Sequence, residues 1–168
     1  AIKPDYHEAL YNKGTALDDL GEKAAAIACY DAALAIKPDY HDAWYNRGLA
    51  LKALERYEEA ANSFDKYLEF DSQDSGAWRN KGVILMRLGH FQESIQSYNI
   101  AIKLVPGDGS PVYNKACCYG LQGDTDNAIQ SLQAAIALYS ECRDLAKTDT
   151  DFDPIRHDER FRALVEGE

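Results

Sequence analysis

Apolar positions along this chain recur at helical spacing in short blocks separated by single breaks. Leu10, Gly14 and Leu17 share one stripe of residues 7–20, and Ala26, Ile27, Tyr30, Ala33 and Leu34 share one stripe of residues 23–36. A turn around Leu20–Gly21 separates the two blocks. Pro38 closes the second, because proline lacks an N–H donor and its ring clashes with a preceding helical turn. The same plan predicts helices over 41–54 and 57–70, 75–88 and 91–104, and 110–121 and 125–139. Gly89 and Gly123 mark the turns inside the later pairs, and Glu55 takes that place in the second pair. No sustained two-residue alternation occurs, so no sheet is expected.

The blocks are copies of one another. AIKPDYHEALYNKG at residues 1–14 returns as AIKPDYHDAWYNRG at 35–48, an offset of 34. The asparagines of YNKG, YNRG, RNKG and YNKA are Asn12, Asn46, Asn80 and Asn114, each 34 residues after the last. Gly14, Gly48 and Gly82 recur inside first helices, with Ala116 in the fourth copy. Glycine there costs about 1 kcal/mol relative to alanine, so its return at a fixed period implies a helix packed at close approach. Ala26, Ala60, Ser94 and Ala128 form a second small ladder, and Tyr30, Phe64, Tyr98 and Leu132 a large one expected to fill the space between.

In this register the chain resembles the tetratricopeptide repeat family. The residues that carry the resemblance are Leu10, Gly14, Leu17, Ala26, Tyr30, Ala33 and Pro38 in the first copy. In the second they are Trp44, Gly48, Leu51, Ala60, Phe64, Tyr67 and Ser72, and in the third Trp78, Gly82, Leu85, Ser94, Tyr98, Ala101 and Pro106. The fourth has Val112, Ala116, Tyr119, Ala128, Leu132, Ala135 and Ser140. The resemblance implies an all-α, right-handed α-solenoid of antiparallel helix pairs, with repeats at 7–40, 41–74, 75–108 and 109–140. Tyr67 stands where a small residue is expected; it should push its neighbours apart or fill a gap beside one.

Residues 1–6 match the tail of a second helix, so the chain is expected to be the C-terminal piece of a longer array. Residues 141–168 are expected to cap it: a short helix from a capping Ser140 to Lys147, an acidic turn, and a last helix over 159–165 behind Asp158. Leu145, Phe152, Ile155, Phe161 and Leu164 would cover the fourth repeat; a docking tail is the alternative.

Charge and motif content narrow the function. Eighteen basic against 28 acidic residues give a net charge of −10, which disfavours a phosphate-backbone partner. No apolar run is long enough for a membrane span. Cys29, Cys117, Cys118 and Cys142 form no C-x-x-C pair and read as free thiols of a cytoplasmic protein. Phosphate-loop, nucleophile-elbow and zinc-pair motifs are missing, and His7, His41, His90 and His157 read as surface or capping residues. The acidic DTDTDFD lacks the glycine and terminal glutamate of a calcium loop. No enzyme activity, cofactor or metal is expected.

What remains is a surface. At about 100° per residue, Asn12 and Thr15 point away from the core stripe of their helix, with Tyr11 to one side. The resemblance implies that this side faces a concave groove. The groove ladders are then Tyr11, Tyr45, Arg79 and Tyr113; Asn12, Asn46, Asn80 and Asn114; and Thr15, Leu49, Val83 and Cys117, with Arg87 nearby. An amide row offers donor and acceptor to an extended backbone, and tyrosine adds rigid contact area with a polar tip. Alternatively, Asn and Tyr bond neighbouring helices. Lys13, Arg47, Lys81 and Lys115 lie nearer the core, where their stems should cover the seam and their heads reach water or a carboxylate. Glu8, Asp18, Asp19 and Asp42 load the N-terminal half, so the basic part of a partner is expected near the first two repeats. The expected function is a scaffold that binds a protein or peptide segment in the groove. The alternatives are self-association through the N-terminal repeat face, with Leu10 and Leu20, and regulation of an enzyme elsewhere in a longer chain.

Overall fold

The computed structural model describes residues 6–167. Its helices are α1 (Tyr6–Asp19), α2 (Lys23–Ile36), α3 (His41–Ala53), α4 (Tyr57–Phe70), α5 (Ser75–Arg87), α6 (Phe91–Leu104), α7 (Gly109–Leu121) and α8 (Thr125–Leu138). There follow α9 (Cys142–Thr148), a 3₁₀ segment (Thr150–Ile155) and α10 (Glu159–Glu166). No strand occurs among the described residues. The tail expected at residues 1–6 lies outside the described residues, except for Tyr6, which opens α1. The chain divides into two compact bodies, one ending at Leu88 and the other beginning at Gly89.

In the N-terminal body each helix packs on the next, from α1 through α5, and α1 also meets α3. The glycine ladder has the reason its period implied. A Cβ on Gly14 would lie 2.7 Å from the Tyr30 ring, and one on Gly48 would lie 2.8 Å from the Phe64 ring. Both rings are fully buried, so the small residue on the first helix is the seat of the large residue on the second. The turn between α1 and α2 places Gly21 at φ +82°, and the equivalent turn after α3 forces Glu55 to φ 57°, a left-handed conformation that glycine adopts at less cost.

The seams between neighbouring repeats carry their own ties. The Trp44 indole N–H donates to the Pro38 carbonyl at 2.9 Å, and that of Trp78 donates to the Ser72 carbonyl at 2.9 Å. Arg47 reaches back to Asp31 at 2.6 Å and to the Ser63 hydroxyl at 2.7 Å, and Lys81 pairs with Asp65 at 2.5 Å. In the C-terminal body Lys115 donates to Asn99 at 2.9 Å. The basic ladder therefore latches helices, as its position beside the core stripe implied.

The C-terminal body packs α7 against α6 and α8, and the 3₁₀ segment lies on α7. Phe152, Ile155 and Phe161 are buried there, with the Phe152 and Phe161 rings 5.3 Å apart. Gly120 admits this covering: a Cβ would lie 2.7 Å from the Asp151 carbonyl oxygen. Three details differ from the sequence reading. The N-cap of α9 is Glu141 rather than Ser140, with no side-chain cap bond. Leu145 is 55% exposed, because α9 turns that side outward, and Val165 is buried. The acidic turn is a 3₁₀ segment capped by the Asp149 carboxylate, which accepts from the Asp151 N–H at 3.0 Å.

Candidate functional site

The N-terminal body has a recess of about 180 Å³ lined by Tyr11 of α1, Asp42, Tyr45 and Asn46 of α3, Tyr67 of α4 and Asp74 before α5. Three of these, Tyr11, Tyr45 and Asn46, belong to the groove ladders. The Asn46 amide donates to the Tyr11 hydroxyl at 2.9 Å, tying α3 to α1. One repeat later Asn80 holds the equivalent position on α5. Tyr67, the departure from the small-residue ladder, fills a gap: its ring lies 4.9 Å from that of Tyr45, and its hydroxyl donates to Asp74 at 2.9 Å. The other Asp74 oxygen caps α5, accepting from the Ala77 N–H at 3.0 Å. Gly76 keeps the mouth clear, since a Cβ there would meet Asp74 at 3.1 Å and the Tyr45 hydroxyl at 3.7 Å.

Charge in this recess is acidic. Burial raises the Tyr45 phenol above its ordinary range, and the Asp74 carboxylate raises it further. Burial, then the bond to Asp74, does the same to Tyr67. Cationic charge lies behind it: Lys52, unremarked in the sequence, donates to Asn80 at 2.6 Å, and burial followed by Arg79 lowers its pKa.

The remaining ladder positions diverge. Asn12 and Arg87 are exposed; Leu49, Arg79, Val83 and Asn114 are half-buried. The Thr15 hydroxyl turns back on its own helix and donates to the Tyr11 carbonyl at 3.2 Å. Asn80 is only 9% exposed and accepts from Lys52 of α3, so it is a joint between α3 and α5 rather than an open amide.

A separate recess of about 460 Å³ lies in the C-terminal body, where Tyr113 and Asn114 of α7 face Tyr139, Glu141 and Leu145. The Tyr113 hydroxyl donates to Asp149 at 2.9 Å. Cys117, expected in the groove, is buried beneath the 3₁₀ segment with its thiol 3.7 Å from the same carboxylate. Cys117, Asp149 and Asp151 bring ligand-type atoms within 4.8 Å of one another. The Asp149 carboxylate already accepts from Tyr113, Cys117 and the Asp151 N–H, and burial followed by that carboxylate pushes the Cys117 thiol far up. The arrangement serves as a hydrogen-bonded anchor for the closing segment.

No described helix is long and apolar enough to cross a membrane. The comparisons with known proteins agree with the repeat architecture. Sequence models of the tetratricopeptide repeat family match residues 11–75 and 54–111, and a further one matches residues 111–142. MamA residues 41 to the end from Desulfovibrio magneticus RS-1 superpose with a TM-score of 0.78 at 22% identity, over 83% of this chain and 78% of that one. A crystal structure of MamA gives 0.81 at 17% identity, over 96% and 91%. YrrB, described as a tetratricopeptide repeat protein with an unusual peptide-binding site, gives 0.76 at 20% identity, over 94% and 81%. These likenesses concern the fold. No functionally curated protein matches the chain.

Proposed function

Because the chain belongs to the tetratricopeptide repeat family, we propose that it is a protein-interaction scaffold that binds an extended polypeptide segment on the first-helix face of its N-terminal body. The observation that carries this reading is the recess in which three phenols and one amide surround two carboxylates. Phenol faces and carboxylates together suit a cation, so a lysine or arginine side chain of the segment is the anchor. Asp42 is 55% exposed and is the carboxylate an incoming cation would meet first. Tyr11 and Asn46 line the approach, and Asn12, Val83 and Arg87 extend it along neighbouring helices. Asn114, beside the recess of the C-terminal body, offers a second, independent contact, while the Tyr113 hydroxyl next to it is taken up by Asp149. The peptide-binding character of YrrB supports the class of ligand.

The reading is of a binder rather than an enzyme. The cluster of Cys117, Asp149 and Asp151 is committed to structural hydrogen bonds, and its thiol is held protonated by burial. The net charge of −10 favours a protein partner over nucleic acid. A cytoplasmic setting fits four unpaired, buried cysteines.

A display selection on the purified protein tests the proposal. Selected peptides are expected to carry lysine or arginine, and Asp42→Lys should weaken them by about tenfold, the scale of one charge-assisted contact. Binding within twofold of the parent would remove the cation from the proposal. Failure to recover any peptide that competes for this face would remove the scaffold reading, and concentration-dependent association by light scattering would replace it with self-assembly.

A further inference from the structure

A further recess lies away from the tyrosine and asparagine ladders. It lies in the C-terminal body, holds about 580 Å³, and falls within the ~300–1,000 Å³ range of ligand sites. Its walls come from the end of α6 (Ile102, Pro106), one face of α7 (Val112, Lys115, Tyr119) and the length of α8 (from Asn127 to Leu138). At about 100° per residue, Val112, Lys115 and Tyr119 lie on the opposite side of α7 from Tyr113 and Asn114.

The repeat itself records what fills this place. Sixty-eight residues earlier, two periods of 34, Trp44 stands for Val112, Arg47 for Lys115 and Pro38 for Pro106. In the N-terminal body the indole N–H of Trp44 is given to the Pro38 carbonyl at 2.9 Å, and the Arg47 guanidinium sits 5.8 Å from the centre of the indole ring. Lys66 and Glu69, two periods before Ala134 and Ala137, pair at 2.8 Å. In the C-terminal body the indole and the ion pair are cut back. Val112 is smaller than Trp44 and has no N–H to offer Pro106, and Ala134 and Ala137 replace the ion pair. The slot keeps the acceptor position and the cation, but the chain supplies no ring between them.

We propose that this slot is a receptor for the tryptophan side chain of a partner polypeptide, which completes the seam as Trp44 does in the N-terminal body. Charge complementarity favours an apolar occupant: Lys115 is the one formally charged residue of the lining, where the N-terminal counterpart gathers Arg47, Glu59, Lys66 and Glu69. Lys115 lies 6.0 Å from the Tyr119 ring and 2.9 Å from Asn99, which holds its ammonium at the wall, in reach of an entering aromatic face. The volume and the exposed apolar Leu138 in the lining leave room for residues flanking the tryptophan, which a free indole would not use. This site stands apart from the cation recess and does not depend on it.

The test uses the intact chain, ¹⁵N-labelled, titrated with N-acetyltryptophanamide and followed by amide shifts. Saturable shifts at Val112, Lys115, Tyr119, Ala134 and Ala137 are expected. The 1-methylindole analogue, which has no N–H to donate, should bind about 5–10-fold more weakly, the scale of one hydrogen bond. Val112→Trp should abolish the shifts and raise the melting temperature by filling the slot. Ala137→Glu, at an exposed position, should weaken binding without affecting the fold, and covers the case in which the tryptophan variant folds poorly. Tryptophan peptides with varied flanks should include members at least tenfold tighter than the amide. An absence of shifts at these five amides, or unchanged binding in Ala137→Glu, would overturn the site. Peptides no tighter than the amide would overturn the partner and leave a small-molecule indole pocket.

Discussion

Tyr11 and Tyr113 stand at the same place in the repeat, three periods apart, and meet different neighbours. In the N-terminal body Tyr11 accepts an amide proton from Asn46 of the next repeat and leaves an open acidic recess beside it. In the C-terminal body Tyr113 donates to the Asp149 carboxylate of the closing segment, and the Phe152 ring packs 5.9 Å from its own. A repeat followed by another repeat keeps surface available. A repeat followed by an irregular segment spends the same tyrosine on anchoring that segment. Position in the array, not residue identity, decides whether a ladder tyrosine serves binding or stability.

That contrast can be broken most forcefully at the glycines. Gly120→Ala sets a methyl against backbone at Asp151, which has no rotamer to change, whereas Gly48→Ala sets one against the Phe64 ring. Overpacking costs about 1–3 kcal/mol, and Gly120→Ala is expected at the upper end, with lost hydrogen-exchange protection confined to 149–165. Gly48→Ala should instead loosen α3 and α4 together. Equal, global effects in urea melts would deny that the closing segment is a separately anchored element.

The tyrosines give the next largest difference. Tyr113→Phe leaves the half-buried Asp149 carboxylate short of a donor and should cost about 1.5–3 kcal/mol, while Tyr11→Phe removes a neutral bond worth about 1 kcal/mol. The same anchor makes the fold sensitive to alkali. Burial above all raises the folded pKa of both Tyr113 and Cys117 over their ordinary values of 10.0 and 9.0. Neutral forms are thus favoured in the native state. Their contribution is complete below pH 9 and declines as pH rises above it, because the unfolded chain then releases protons that the folded chain retains. Melting temperatures measured from pH 8 to 10.5 should fall, and Cys117→Val should flatten the slope.

The smallest effect is at Glu55, held at φ 57° where the other such turns have Gly21, Gly89 and Gly123. Glu55→Gly should stabilise by up to about 1 kcal/mol, since it removes a left-handed strain that a longer side chain bears. A neutral or negative result in denaturant titration would mean that the gained freedom of the unfolded chain offsets the relief.

Much of this was legible because the helical period and the 34-residue period reinforce one another. The glycine and large-residue ladders fixed helix pairing, and the element ends fell within a residue or two of where Pro38, Gly89 and Gly123 placed them. The recess was half legible: the tyrosine–asparagine ladder pointed to Tyr11, Tyr45 and Asn46, but four identical asparagines met four environments. Asn12 is exposed, Asn46 ties to Tyr11, Asn80 is buried under Lys52, and Asn114 sits beside the closing segment. A periodic letter reports the repeat, whereas burial depends on what the neighbouring repeat contributes. Asp149 escaped the reading for the same reason, since no period places a 3₁₀ segment over α7.

The latches of the basic ladder all span sixteen residues: Arg47 to Asp31, Lys81 to Asp65, Lys115 to Asn99. Both ends of every latch are written into the 34-residue word itself. A gene that copies one such word in frame therefore delivers a finished joint on either side, with no new complementarity to invent. Lengthening by duplication is the cheapest change open to this sequence, and the near-identity of residues 1–14 and 35–48 is the kind of mark such copying leaves.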